Sequence, residues 1–161
     1  DGNTKNHIIK SNTSHYLKMN NQLIAESVEA CNGLFDLSNG REFTEVFKSE
    51  DEQIKIANGG FDHYFIFEKN KPSTKIYDQE SGRVMTVTTT FPGMVFYTGN
   101  NLTDSVKLKD RKSQKYAGFC VETQESPFSL TLPLNHTVNI DKGSHYQRQT
   151  VFKFEVQNEN K

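Results

Sequence analysis

Residues 83–90 read Arg-Val-Met-Thr-Val-Thr-Thr-Thr. Six of the eight are branched at Cβ, and such side chains pack best on a pleated surface, so the run predicts a strand. Similar runs lie on both sides of it. Tyr64-Phe65-Ile66-Phe67, Lys75-Ile76-Tyr77, Met94-Val95-Phe96-Tyr97 and Phe119-Cys120-Val121 read as short strands. Between them stand Asn58-Gly59-Gly60, Glu80-Ser81-Gly82, Phe91-Pro92-Gly93 and Thr98-Gly99-Asn100, which carry turn chemistry. Short strands punctuated in this way predict an all-β chain, an antiparallel β-sandwich. Toward the end, residues 136–140 and 150–156 flank Asp141-Lys142-Gly143 and predict a hairpin. Phe152, Phe154 and Val156 alternate with Lys153 and Glu155, giving the last strand one apolar and one polar face. A helix is expected within residues 41–49, where Phe43, Val46 and Phe47 recur at helical spacing. No repeat or linker interrupts residues 1–161, which read as a single domain.

Composition narrows the function. Of the 161 residues 34% are strongly hydrophobic, and mean hydropathy is −0.73, so the core is thin for the length. Twelve Phe and six Tyr offset this, because aromatic rings bury much area per residue. Lys and Arg number 19 against 20 Asp and Glu, and no basic stripe favours nucleic acid as a partner. Residues 102–115 hold five Lys or Arg and read as a solvated loop. No apolar run is long enough to span a membrane, and no membrane partner is expected. Cys31 and Cys120 form no CxxC pair and read as two buried free thiols. With no export leader in the sequence, they point to the cytoplasm.

Two carboxylates stand out. Asp62 opens the apolar run 62–67, beside His63. Neighbouring side chains on a strand point to opposite faces, so the two cannot serve one site, and Asp62 is the better candidate. It could hold hydroxyls of a polar ligand; the plainer alternative is a turn cap with His63 in solvent. Glu122 follows Phe119-Cys120-Val121. On a buried strand its carboxyl would lose water, and burial tunes a carboxylate toward the work of a general base. The alternative is a strand-end Glu in water. The pair also admits glycoside hydrolysis, in which two carboxyl groups flank the scissile bond. No phosphate loop, GxSxG elbow or HExxH occurs, so neither a metal nor a cofactor is expected.

Four stretches, taken in order, resemble the aldose 1-epimerase (galactose mutarotase) family. They are residues 58–65, residues 81–89, residues 92–100 and the run Gly118-Phe119-Cys120-Val121-Glu122-Thr123-Gln124. His7, Phe35-Asp36-Leu37 and the tail with Gly143, Tyr146 and Phe152-Lys153-Phe154 fit as well. The resemblance implies the antiparallel supersandwich of that family, or its C-terminal portion. It also implies a cofactor-free isomerase that interconverts α and β anomers of a free hexose such as galactose or glucose. Carried onto this sequence, Glu122 is the general base and Asp62 binds the monosaccharide substrate.

The sequence also departs from the family. The family's acid is a His within Asn-His-x-Tyr-Phe-Asn-Leu, and none of His7, His15, His63, His136 or His145 has that context. Val95 stands where many members have Gln, and Phe128 follows Ser126-Pro127 where many have Pro-Asp after the Glu-Thr-Gln run. The chain is therefore expected to be the C-terminal part of the fold, completed by an N-terminal complementary segment or chain and weak or inactive alone. A sugar-binding module without turnover is the alternative.

Overall fold

The computed structural model describes residues 3–69, 72–132, 134 and 138–157. In chain order the elements are β1 (His7–Ser11), β2 (Thr13–Met19), β3 (Ala25–Ala30), a 3-10 turn (Gly33–Phe35), β4 (Arg41–Glu42), α1 (Phe43–Phe47) and α2 (Glu52–Ile56). There follow β5 (Asp62–Phe67), β6 (Ser73–Asp78), β7 (Arg83–Thr89), β8 (Gly93–Tyr97), β9 (Cys120–Gln124) and β10 (Thr150–Val156). The strands make two five-stranded sheets, ordered β10-β7-β6-β1-β4 and β3-β2-β5-β8-β9, in which the paired strands run antiparallel. The expected sandwich is therefore present.

Alternation along each strand sends one set of side chains between the sheets. Ile9 and Ile76 come from the first sheet; Phe65, Met94 and Phe96 come from the second. Phe35, Phe43, Phe61 and Ile54 close the same core. Tyr16 stacks on Phe35 with ring centres 3.9 Å apart, and Phe43 meets Phe96 edge-on at 5.6 Å. Rings at these separations add attraction beyond area burial, which is how a chain of low apolar content fills its core.

Three expectations need correction. Residues 150–156 form no hairpin with the segment before them: β10 pairs along its whole length with β7, from Thr150 opposite Thr89 to Val156 opposite Arg83. Residues 138–140 are irregular and exposed, while His136 and Thr137 lie outside the described residues. Pairing with the β-branched β7 outcompetes a local turn because it satisfies a full ladder of backbone groups. The expected helix is α1, but a second one follows at once. There Asp51 caps α2 by accepting the Gln53 amide at 2.8 Å, and Ile54 is buried. Finally, both thiols are free, but Cys120 is exposed, because β9 is an edge strand.

Candidate functional site

The face of the second sheet turned away from the core carries the candidate residues. Register places Asp62 opposite Tyr97, and Tyr97 opposite Cys120. Two residues along, Tyr64 lies opposite Val95, and Val95 opposite Glu122. Asp62 and Glu122 thus share one face, two strands and two residues apart. At ordinary sheet spacing their Cα atoms stand roughly 12 Å apart, room for a sugar ring between two carboxyl groups reaching inward.

The two carboxylates have different surroundings. Asp62 is half-buried, and its carboxyl is held above the usual carboxylate range, first by burial and then by the negative charge of Glu122. Asp62 also lines a cavity of about 230 Å³ with Leu17, Tyr64, Val95 and Phe128. Glu122 is exposed, so the shielding expected for it from Phe119, Cys120 and Val121 is not found. Of those three, Cys120 shares its outward face and is itself exposed, while Phe119 and Val121 turn into the core.

A buried network seats Asp62. The Thr98 hydroxyl accepts the Phe61 amide at 2.9 Å and lies 2.5 Å from Asn100 Oδ1. Asn100 Nδ2 donates to the carbonyls of Ala57 at 2.7 Å and Phe61 at 2.9 Å. Asn58 and Gly59 have positive φ, and the Tyr116 hydroxyl donates to the Gly59 carbonyl at 2.7 Å. A Cβ on Gly60 would sit 2.1 Å from Asn100 Oδ1, so only glycine fits there. Two of the sequence stretches noted above, residues 58–65 and 92–100, therefore meet at this point, and their turn residues hold the strand entry that presents Asp62.

His63 does not face solvent. It is fully buried among Tyr16, Phe35 and Phe61. Its Nδ1 accepts the Asp62 amide at 3.2 Å, which places the ring proton on Nε2; that atom has no partner among the described residues. Burial pushes the imidazole down to about 3, so it is neutral at physiological pH.

Sequence reasoning missed the far wall of the site. Phe128 and Leu132 pack over Leu17 and Tyr64. The Tyr64 hydroxyl ties this segment down by donating to the Gln124 carbonyl at 3.0 Å. Farther along, Arg148 Nε donates to Glu125 at 2.9 Å while its guanidinium lies over Phe91 and Tyr146. The only sequence signal was the scatter of apolar residues through 128–134. Among the described residues, no group of three or more His, Cys, Asp or Glu could hold a metal ion, and no helix is long and apolar enough to cross a membrane.

A family model, Aldose 1-epimerase, matches residues 2–153. Galactose mutarotase of Homo sapiens is 40% identical over 101 residues, which make up 60% of this chain and 30% of that protein. The Rattus norvegicus galactose mutarotase is 38% identical over a stretch of the same length and the same shares. Aldose 1-epimerase of Haemophilus influenzae is 27% identical over 156 residues, 93% of this chain and 45% of that one. Among solved structures, galactose 1-epimerase from Lactobacillus acidophilus superposes with a TM-score of 0.74 at 21% identity, covering 98% of this chain and 46% of that chain. An aldose epimerase homologue from C. elegans gives 0.78 at 15% identity, covering 98% and 48%. Both share this fold. The matched part of the chain spans 30–45% of the length of these curated relatives.

Proposed function

The chain belongs to the aldose 1-epimerase family, and on that premise we propose that it carries two working carboxylates of an enzyme interconverting the α and β anomers of a free hexose such as galactose or glucose. The observation that carries the reading is the shared face of Asp62 and Glu122, close enough for one charge to shift the other. Glu122 acts as general base and removes the proton from the anomeric hydroxyl. As C1=O forms, the bond from C1 to the ring oxygen breaks, and that oxygen takes a proton from a general acid. Rotation about C1–C2 and the reverse steps close the ring on its other face. Asp62 accepts hydrogen bonds from sugar hydroxyls, and charge-assisted bonds of this kind fix a ring firmly. Only protons move, so the step needs no cofactor.

The acid belongs, on this reading, to a complementary part of the family fold, of which this chain is the C-terminal portion. Relatives named as mutarotases and epimerases favour turnover over simple sugar holding. Residence in the cytoplasm is part of the same proposal and rests on the two free cysteines. The test is Glu122→Gln in a polypeptide that includes the rest of the fold, followed by polarimetry of α-D-galactose. Loss of a positioned base lowers turnover by roughly 10²–10⁴-fold. Near-normal rotation kinetics in that variant would remove Glu122 from the role.

A further inference from the structure

The cavity of about 230 Å³ beside Asp62 is walled almost entirely by carbon. Leu17 of β2, Ala25 of β3, Val95 of β8 and Phe128, which follows β9, line it together with Asp62 and Tyr64 of β5. Leu17, Ala25 and Tyr64 form one buried cluster, and Val95 and Phe128 pack against it. The Tyr64 hydroxyl donates to the Gln124 carbonyl at 3.0 Å and lies over Gly93, at the other end of β8 from the partner of Asp62, so Tyr64 offers the cavity its ring. Among the described lining residues, that leaves the Asp62 carboxylate as the polar side chain on offer to a ligand. A carboxylate on the rim of such a cavity suits a molecule that sets a hydroxyl next to an apolar group. A second hydroxyl placed inside would surrender its water and find no partner, which costs binding free energy.

Register orients the ligand. Val95 is the direct cross-strand partner of Glu122, and Tyr64 is the partner of Val95. A pyranose with its anomeric hydroxyl at Glu122 therefore lies over Val95, and its opposite end reaches β5 and the cavity. In a hexopyranose that end carries the C4 hydroxyl and the exocyclic C6, attached to adjacent ring carbons. We propose that the substrate class of this site is a 6-deoxyhexose, with the C4 hydroxyl on Asp62 and the C6 methyl group in the cavity. Val95 sets the preference, because it offers carbon where a hydroxymethyl group needs a hydrogen-bond partner. The inference rests on the function proposed above and names the substrate class of that same site. An apolar pocket rejects an added hydroxyl only moderately, by about tenfold to a hundredfold.

The test compares 6-deoxy-D-galactose with D-galactose by polarimetry, in the polypeptide used for Glu122→Gln, alongside dissociation constants from saturation-transfer NMR. The value of kcat/KM should favour the 6-deoxy sugar by about tenfold to a hundredfold. Val95→Thr keeps the branched shape and puts a hydroxyl on the floor of the site. It should narrow the preference by roughly threefold or more through a gain on D-galactose, with the thermal midpoint unchanged. Equal use of the two sugars, a preference for D-galactose, or a preference that Val95→Thr leaves as it was would each overturn the proposal. Should neither sugar exchange anomers above the spontaneous rate, the enzymatic reading falls and binding decides. Tighter binding of the 6-deoxy sugar, by about tenfold or more, would then sustain the assignment of the cavity, and equal affinities or no binding would overturn it.

Discussion

His63 makes the stability of this chain depend on acid in a predictable way. Its ring is fully buried and pushed down to about 3, against 6.5 for the unfolded chain. Between those values the unfolded chain binds a proton that the folded chain refuses. Stability is therefore complete above about pH 6.5 and falls as the pH drops through the window, at about 1.4 kcal/mol per pH unit. From pH 6.5 to 4.5 this one group removes roughly 2–3 kcal/mol, a large share of an ordinary domain's stability. Asp36, Glu50 and Asp78, whose carboxyl groups are held below their ordinary range, also weaken the fold on acidification. The comparison is therefore with His63→Leu, which is close in volume and does not titrate. That variant loses the acceptor for the Asp62 amide, at a cost of about 1 kcal/mol that does not vary with pH. Urea unfolding followed by far-ultraviolet circular dichroism at pH 7.0, 6.0, 5.0 and 4.5 gives both curves. The difference between parent and variant should slope by about 1.4 kcal/mol per unit below pH 6. Parallel curves would mean that the ring takes up its proton inside the fold, and the account of a dry aromatic cage around it would be wrong.

Other consequences follow from the same network. Asn100→Ala strips donors from the carbonyls of Ala57 and Phe61 in a buried place and should lower unfolding free energy by roughly 2–4 kcal/mol in urea titrations. Gly60→Ala drives a methyl to 2.1 Å from Asn100 Oδ1 and 2.4 Å from Thr98 Oγ1, and thermal melts should show a loss of about 2 kcal/mol or more. Glu122→Gln removes the like charge facing Asp62, so a carboxyl-carbon NMR titration should show the Asp62 midpoint moving down while remaining raised by burial. An unmoved midpoint would separate the two carboxylates.

Strands β5, β8 and β9 of the second sheet were legible because their apolar runs are short and lie beside Gly-containing turns, and the same runs carry the family resemblance; β2 and β3, whose polar residues break the apolar pattern, were not read. The turn before Asp62 was legible as a turn, but its purpose was not. Nothing along the chain says that Thr98 and Asn100 fold back on residues 57–61. The final hairpin failed for a related reason: a period-two pattern identifies a strand and its faces but not its neighbour, and β10 chose β7 from more than sixty residues away. Asp62 and His63 do point to opposite faces, as alternation requires; the alternative that left His63 in solvent fails because the aromatic side chains that enclose it come from β2, the 3-10 turn and the loop before β5, which its own strand does not reveal.

Glu122 shows the limit most clearly. Apolar residues just before it in sequence suggested a carboxyl short of water, but neighbours along a strand alternate between faces and two of the three point the other way. What covers a strand residue is whatever lies across the sheet and above it. β9 has β8 on one side and, among the described residues, no strand on the other. Asp62 lies two strands further in, on a strand with a neighbour on each side, and burial holds its carboxyl above the usual carboxylate range. The two carboxylates thus sit at unequal depths on one face of the sheet. Deeper burial of Glu122 would require material packed against the β9 edge or over its outer face.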